Sequence, residues 1–310
     1  MPTRAQELAV LQAVMYASLF DYPLTQSQLR ESLVEVAADE PTILAWWRSS
    51  PLLQSAIEHR AGLFFPAGRA DLVATRARRE ALSRDLLRRD RRLFTFVAGL
   101  PFVRMVALSG SLAHLNAERS ADVDLFVITI ANRVWLVTVT ALVIAKIAGW
   151  RQRLCLNYVI SERRLALPPG DLFSANQIIH LQPVAGHETY RRFLDCNGFV
   201  AHWYPNFRRR DAGVATQVQG SSVLERLLSA TIAPAAERVC RALYRRHLWR
   251  QASSWRSVDQ VRLDDECLKL HTSSHRAVTM ARFDAAMAAA VAGLPASCPQ
   301  PPILDVTEVA

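Results

Sequence analysis

The stretch Val103 to Thr129, reading VRMVALSGSLAHLNAERSADVDLFVIT, constrains this chain more than any other. An apolar run, Val103 to Leu108, ends in Ser109-Gly110-Ser111. A mixed segment follows from Leu112 to Ser120, and Asp122-Val123-Asp124 then opens a second apolar run, Leu125 to Ile130. Short apolar runs bounded by turn residues predict two buried strands. Side chains two apart on a strand share a face, so Asp122 and Asp124 point together while Val123 turns to the core. Neighbouring carboxylates repel unless a cation or a proton lies between them. Paired hard oxygens suit Mg²⁺, which keeps several waters and completes its shell from substrate phosphates. The Gly110-Ser111 step opens a helix whose free N–H groups favour a phosphate. One loop thus offers a phosphate cradle, and the next strand a metal pair.

Gly110-Ser111, a gap, then Asp122-x-Asp124 flanked by apolar residues resembles the signature of the polymerase-β-like nucleotidyltransferase superfamily. The likeness is motif-specific over Val103 to Thr129 and looser over residues 70 to 200. It implies an α/β (α+β) fold with a small mixed sheet. It also implies transfer of a nucleoside monophosphate from an NTP to a hydroxyl-bearing acceptor, whether RNA, protein or small molecule. In that role Asp122 and Asp124 are catalytic and hold Mg²⁺ or Mn²⁺, and Gly110 and Ser111 bind the β- and γ-phosphates. In the superfamily a third strand brings another carboxylate beside the first two. Here the strand is Leu154 to Ile160 and the corresponding position is Asn157, with Leu156 and Tyr158 expected on the opposite face. An amide ligates through its carbonyl but is no base, which leaves Glu162 or His180 to act as one. The alternative is a non-catalytic regulatory member that binds nucleotide or nucleic acid, with Asn157 as the trace of lost activity.

A chain of 310 residues with 51% apolar and 21% charged content has room for two or three globular domains. The net charge is +9, and the cations are almost all arginine, since Lys146 and Lys269 are the only lysines. Arginine is the better bidentate phosphate binder. Tracts of this charge leave tRNA or another nucleic acid open as acceptor. Five cysteines without a CxxC pair point to reduced thiols and a cytoplasmic protein. The N-terminus, with Gln6 and Glu7 inside its apolar pattern, does not resemble a signal peptide. Val134 to Ala145 is too short to span a bilayer and ends at Lys146, so no membrane is expected.

Along the chain, apolar spacing predicts a helix over residues 5 to 20, ended by Asp21-Tyr22-Pro23. Thr25 and Gln28 form a capping box for a second helix through Val34. A third, Ile43 to Arg48, carries Trp46 and Trp47, and Ile57 to Phe65 reads as a hairpin turning at His59 to Gly62. Three helices and a hairpin over residues 1–70 are the layout of a winged helix, whose third helix here looks more like a packing surface than a DNA reader. Residues 71–98 read as one Arg-rich helix, either a solvated face laced with ion pairs or a ridge for an acidic partner. The core spans 99–210, with a helix over Trp135 to Ala148 capped by Gly149 and another over Glu188 to Cys196. His180, His187 and Asn197 are candidates to face its cleft. A linker at 211–222 leads to a helical C-terminal region, 223–294, with helices over 223–250 and 257–293. There His271 and His275 stand at a metal-capable spacing but without an HExxH pattern. A disordered tail over 295–310 closes the chain.

Overall fold

The computed structural model describes residues 1–168, 170–208, 223–271 and 276–292. The proposed linker at 211–222, the tail at 295–310 and His275 lie outside the described residues. In the N-terminal part the order is α1 (Arg4–Ser18), β1 (Leu24–Thr25), α2 (Gln26–Glu31), α3 (Glu40–Ser49), α4 (Pro51–Ala56), β2 (Ile57–Arg60) and β3 (Leu63–Pro66). The Thr25–Gln28 capping box is present, and α2 stops at Glu31, short of Val34. Asp39 caps α3 through the Thr42 N–H, with Pro41 in its first turn. Ala61 and Gly62 both have positive φ (52° and 75°), as a two-residue turn between twisted strands requires. The three strands pair antiparallel in the order β1-β3-β2. Trp47 donates its Nε1–H to the Ile57 carbonyl at 3.0 Å and stands edge-on to Phe64, so α3 spends this aromatic on packing.

Two helices follow instead of the single one expected: α5 (Asp71–Arg89) and α6 (Arg91–Ala98). The break is Asp90, a carboxylate only 3% exposed that ion-pairs with Arg89 and Arg153. Holding that buried charge against Arg153 turns the chain and ends α5. Along α5 Arg84 pairs with Glu80 and Arg88 with Asp85 of the same helix, while Arg79 reaches Glu118 of a loop farther along the chain. Arg76 is buried over the Tyr22 ring and donates to the Pro23 carbonyl. This is the pattern of a self-paired face.

The remaining elements are β4 (Val103–Leu108), α7 (Gly110–Ala113), β5 (Val123–Thr129), α8 (Val134–Ile147), β6 (Leu154–Ser161), α9 (Leu172–Ile179), β7 (Gln182–Ala185), α10 (His187–Asp195) and α11 (Phe199–Trp203). After them come α12 (Val223–Ala230), α13 (Ala233–Arg250), β8 (Val261–Leu263), β9 (Cys267–Leu270) and α14 (Arg276–Val291). The strands form one mixed sheet in the order β7-β4-β5-β6-β9-β8, with β5 and β6 parallel and the other pairs antiparallel. The C-terminal region is therefore not wholly helical, as expected, but adds a hairpin to the edge of β6. Val261-Arg262-Leu263 and Leu268-Lys269-Leu270 alternate with period two, which suits strands. Asp264 turns the hairpin, its N–H donating to the Cys267 carbonyl and its carboxylate accepting from the Glu266 N–H.

The sheet is buried on both faces. Val106, Leu125, Val127, Val159 and Leu268 share one apolar cluster with Trp135 of α8 and Val97 of α6. Met105, Ala107, Phe126, Ile128 and Ile160 share the other with Phe193 of α10, Phe283 of α14 and the N-terminal helices. Glu237 of α13 caps α8 across the fold, accepting from the Trp135 and Leu136 N–H groups at 3.1 and 2.6 Å. Asn206, 9% exposed, clamps the N-terminal part to the core by bonding both the Ala38 N–H and the Val36 carbonyl.

Candidate active site

The expected strands and the glycine turn between them are in place. Leu108 ends β4, Gly110 opens the one-turn helix α7, and Asp124 is the second residue of β5. The Ser109 N–H donates to the Asp124 carbonyl at 2.9 Å, tying the loop to the strand start. Gly110 has φ +62°, and a Cβ there would fall 3.1 Å from the Asp124 carboxyl carbon and closer still to one of its oxygens. Glycine adopts that backbone without strain, and any side chain there would have to push the Asp124 carboxylate aside. Val123 is 1% exposed and belongs to the core on the α8 side, so Asp124 faces the other way. Asp122, just before the strand, is exposed. Burial raises the Asp124 carboxyl above the ordinary range, the Cys155 thiol opposes this by hydrogen bonding, and the Asp122 charge adds to the rise. Asp122 is raised as well, by desolvation, against the pull of Arg151.

Asp124 and Gly110 line a cavity of about 260 Å³. Its floor is the α10 face of the sheet: Asp124 and Phe126 from β5, Cys155 and Tyr158 from β6, Lys269 from β9. Leu167, Pro168, Phe173 and Ile178 close it from the loop before α9 and from α9 itself. Gln260, His271 and Arg276 complete the far wall. Lys269 stands 5.4 Å from the Tyr158 ring centroid and donates to Gln260 Oε1 at 3.2 Å. Arg276 ion-pairs with Asp171 and lies 5.3 Å from the Phe173 ring. Desolvation, aided by the Lys269 charge, holds His271 down to about 4.

The third strand brings a different residue beside the carboxylates. Asp124 is in register with Cys155, and Phe126 with Tyr158. Leu125 of β5 thus opposes both Leu156 and Asn157 of β6, so β6 carries one extra residue there. Leu156 accordingly falls in the α8-side core while Tyr158 lines the cavity, and the two do not share a face as simple alternation predicted. The side chain of Asn157 lies outside the described residues. Burial and the two aspartates push the Cys155 thiol far up, so it stands protonated as a donor to Asp124. Glu162 follows the opposite end of β6, seven residues from Cys155, roughly 20 Å along a strand, too far to substitute.

No described family model, curated protein or solved structure matches the chain.

The other candidates sort by position. His180 ends α9 with Nδ1 2.7 Å from the Asn176 carbonyl and its ring 4.1 Å from that of His114; it does not line the cavity. His187 opens α10 with its Nε2 buried and without a hydrogen-bond partner. Asn197, 1% exposed, bonds the Leu165 carbonyl and the Leu167 N–H, so it fixes the loop that carries Leu167 to the cavity. Ser111 sits in the first turn of α7, next to Gly110 and outside the cavity lining. Among the described residues no group of three or more His, Cys, Asp or Glu side chains is arranged to hold a metal. Of the two expected metal carboxylates, Asp124 lines the cavity and Asp122 does not. The sequence reading missed Lys269, Gln260 and Arg276; the signal for Lys269 was its rarity in a chain whose cations are nearly all arginine. The four described cysteines are free, and no described helix is long and apolar enough to cross a membrane.

Proposed function

We propose that the chain is a metal-dependent nucleotidyltransferase that moves a nucleoside monophosphate from an NTP to a hydroxyl acceptor. The observation that carries this reading is the seating of Gly110 directly against Asp124 at the edge of the cavity. It brings a loop with free N–H groups to a carboxylate that its surroundings disfavour as an anion. Asp124, with the Gly110 loop against it and Asp122 two residues earlier on the same stretch, fits one Mg²⁺ or Mn²⁺ carried in by a triphosphate. When bound there, the metal would offset charge on the transferring phosphoryl group. Asp122 and Asp124 would hold it, while Gly110 and Ser111 offer backbone N–H groups to the β- and γ-phosphate oxygens. In the reaction the acceptor oxygen bonds to the α-phosphorus and the bond to the bridging oxygen breaks. Pyrophosphate leaves with that electron pair, and the hydroxyl proton passes to solvent. This chemistry asks mainly for positioning and charge placement. The sheet β7-β4-β5-β6 serves as the nucleotidyltransferase core. The N-terminal order, with its sheet β1-β3-β2, supports a winged-helix-like module that packs through α3.

A second reading, nucleotide binding without turnover, draws on Cys155 standing opposite Asp124 where a third carboxylate would serve a second metal. Incubation with each α-³²P-labelled NTP and Mg²⁺ or Mn²⁺ separates the two. Label moving to a tRNA pool, the protein itself or small hydroxyl compounds supports transfer. Saturable nucleotide binding with no label moved to any of them supports the second reading.

A further inference from the structure

The cavity has two unlike ends, and the strand order separates them. Going across the sheet from β4, the Gly110 loop comes first, then Asp124 on β5, then Cys155 and Tyr158 on β6, and last Lys269 on β9. Phe126, Tyr158 and Lys269 lie in one row, paired strand to strand. If the triphosphate lies on the Gly110 side of Asp124, the Lys269 side is left for the acceptor, whose hydroxyl must approach the α-phosphorus from across the metal pair. That far wall carries two cations, Lys269 and Arg276, beside the flat faces of Tyr158 and Phe173. His271 adds no charge there at neutral pH. Leu167, Pro168 and Ile178 close over a cavity of about 260 Å³ in all, the Gly110 and Asp124 end included. That is just under the roughly 300 Å³ at which small-molecule sites begin, so the far end has room only for a small acceptor.

We propose that Lys269 and Arg276 form the acceptor subsite and that the acceptor is a small hydroxyl compound bearing a carboxylate or phosphate, an inference that rests on the nucleotidyltransferase reading above. Lys269, beside an Arg276 whose charge Asp171 partly offsets, disfavours amine-bearing acceptors by like-charge repulsion. An RNA end shares the negative charge, but the closure under Leu167, Pro168 and Ile178 favours an acceptor small enough to enter the cavity.

The test uses the full chain with Mg²⁺ and α,β-methylene-ATP, which cannot transfer its nucleotide. Phenyl phosphate, benzoate and benzylamine serve as probes in saturation-transfer NMR, and a short single-stranded RNA as competitor. The expected result is saturation of phenyl phosphate or benzoate and none of benzylamine. Lys269→Gln should weaken the bound anion about tenfold, the loss of one charge-assisted contact, and Lys269→Arg should restore most of it. Signal from phenyl phosphate alone, or from benzoate alone, identifies which anion the acceptor carries. The proposal is overturned by equal binding of benzylamine, by a Lys269→Gln protein that binds the anions like wild type, or by loss of the methylene-ATP complex in that variant, which would assign the wall to the nucleotide. RNA that displaces the probes and requires Lys269 overturns the small acceptor in favour of a macromolecule. Failure of the underlying reading looks different: Asp122→Asn/Asp124→Asn then binds Mg²⁺-methylene-ATP as wild type does while anion binding survives, and the acceptor role falls.

Discussion

Gly110 and Asp124 are built against each other: the glycine's left-handed backbone presents its bare Cα to the carboxylate, where a Cβ would fall 3.1 Å from the carboxyl carbon. The contact joins two segments that the sequence separates by α7 and the loop to Ser120. It seats the Gly110 loop against the start of β5.

Gly110→Ala tests that contact. A side chain at φ +62° costs about 1–2 kcal/mol in backbone strain, and the new methyl must also displace Asp124. The variant should lose that much stability in urea unfolding. It should also bind Mn²⁺-ATP more weakly than Asn116→Ala, a change in the same loop away from the carboxylate. A Gly110→Ala protein with normal stability and normal binding would show that the contact carries neither.

Glu237 caps α8 from another helix, and α8 has no side-chain cap of its own. Glu237→Ala leaves the Trp135 and Leu136 N–H groups without their acceptor, a cost of about 1–3 kcal/mol. Glu237→Gln retains one acceptor and should cost less. Chemical denaturation that ranks the two variants the other way would remove the capping account.

Much of this fold is readable in the residues themselves. The capping box at Thr25, the hairpin turn, expected over His59 to Gly62 and confined by the structure to Ala61-Gly62, and the strands flanking Gly110 and Asp124 are all local signals, set by side-chain to backbone bonding or by period-two burial. Where the reading departed from the structure, the cause was tertiary. Asp90 breaks a helix because Arg153, far along the chain, holds it in the core. The hairpin β8–β9 alternates clearly, but its partner β6 lies about a hundred residues away, and the Ala- and Arg-rich sequence around it favours helix on composition. The extra residue in β6 lies after Cys155, shifts every later side chain and brings Tyr158 to the cavity, and no motif announces it. Lys269 and Arg276 reach the site only because that hairpin and α14 fold back onto the sheet.

His271 gives the cavity a pH signature. Its folded-state value, about 4, lies below the ordinary 6.5 because burial and Lys269 disfavour the imidazolium. The unfolded chain therefore binds a proton that the folded chain refuses between those values. Its contribution to stability is complete above about pH 6.5 and is lost as the pH falls toward about 4. Urea unfolding from about pH 7 down to about pH 4.5 should show wild type losing stability more steeply than His271→Gln. Parallel slopes would mean that the imidazole titrates freely in the folded protein.

The central claim is that Asp122 and Asp124 hold a metal-nucleotide complex. Isothermal titration of Mn²⁺-α,β-methylene-ATP into wild type and into Asp122→Asn/Asp124→Asn tests it most directly, with circular dichroism to verify that both are folded. The account predicts saturable binding by wild type that requires Mn²⁺, and no measurable binding by the double variant, whose thermal stability without metal is equal or higher because Asp124 no longer buries a disfavoured charge. Equal affinity in the two proteins, or wild-type binding that ignores the metal, would contradict it.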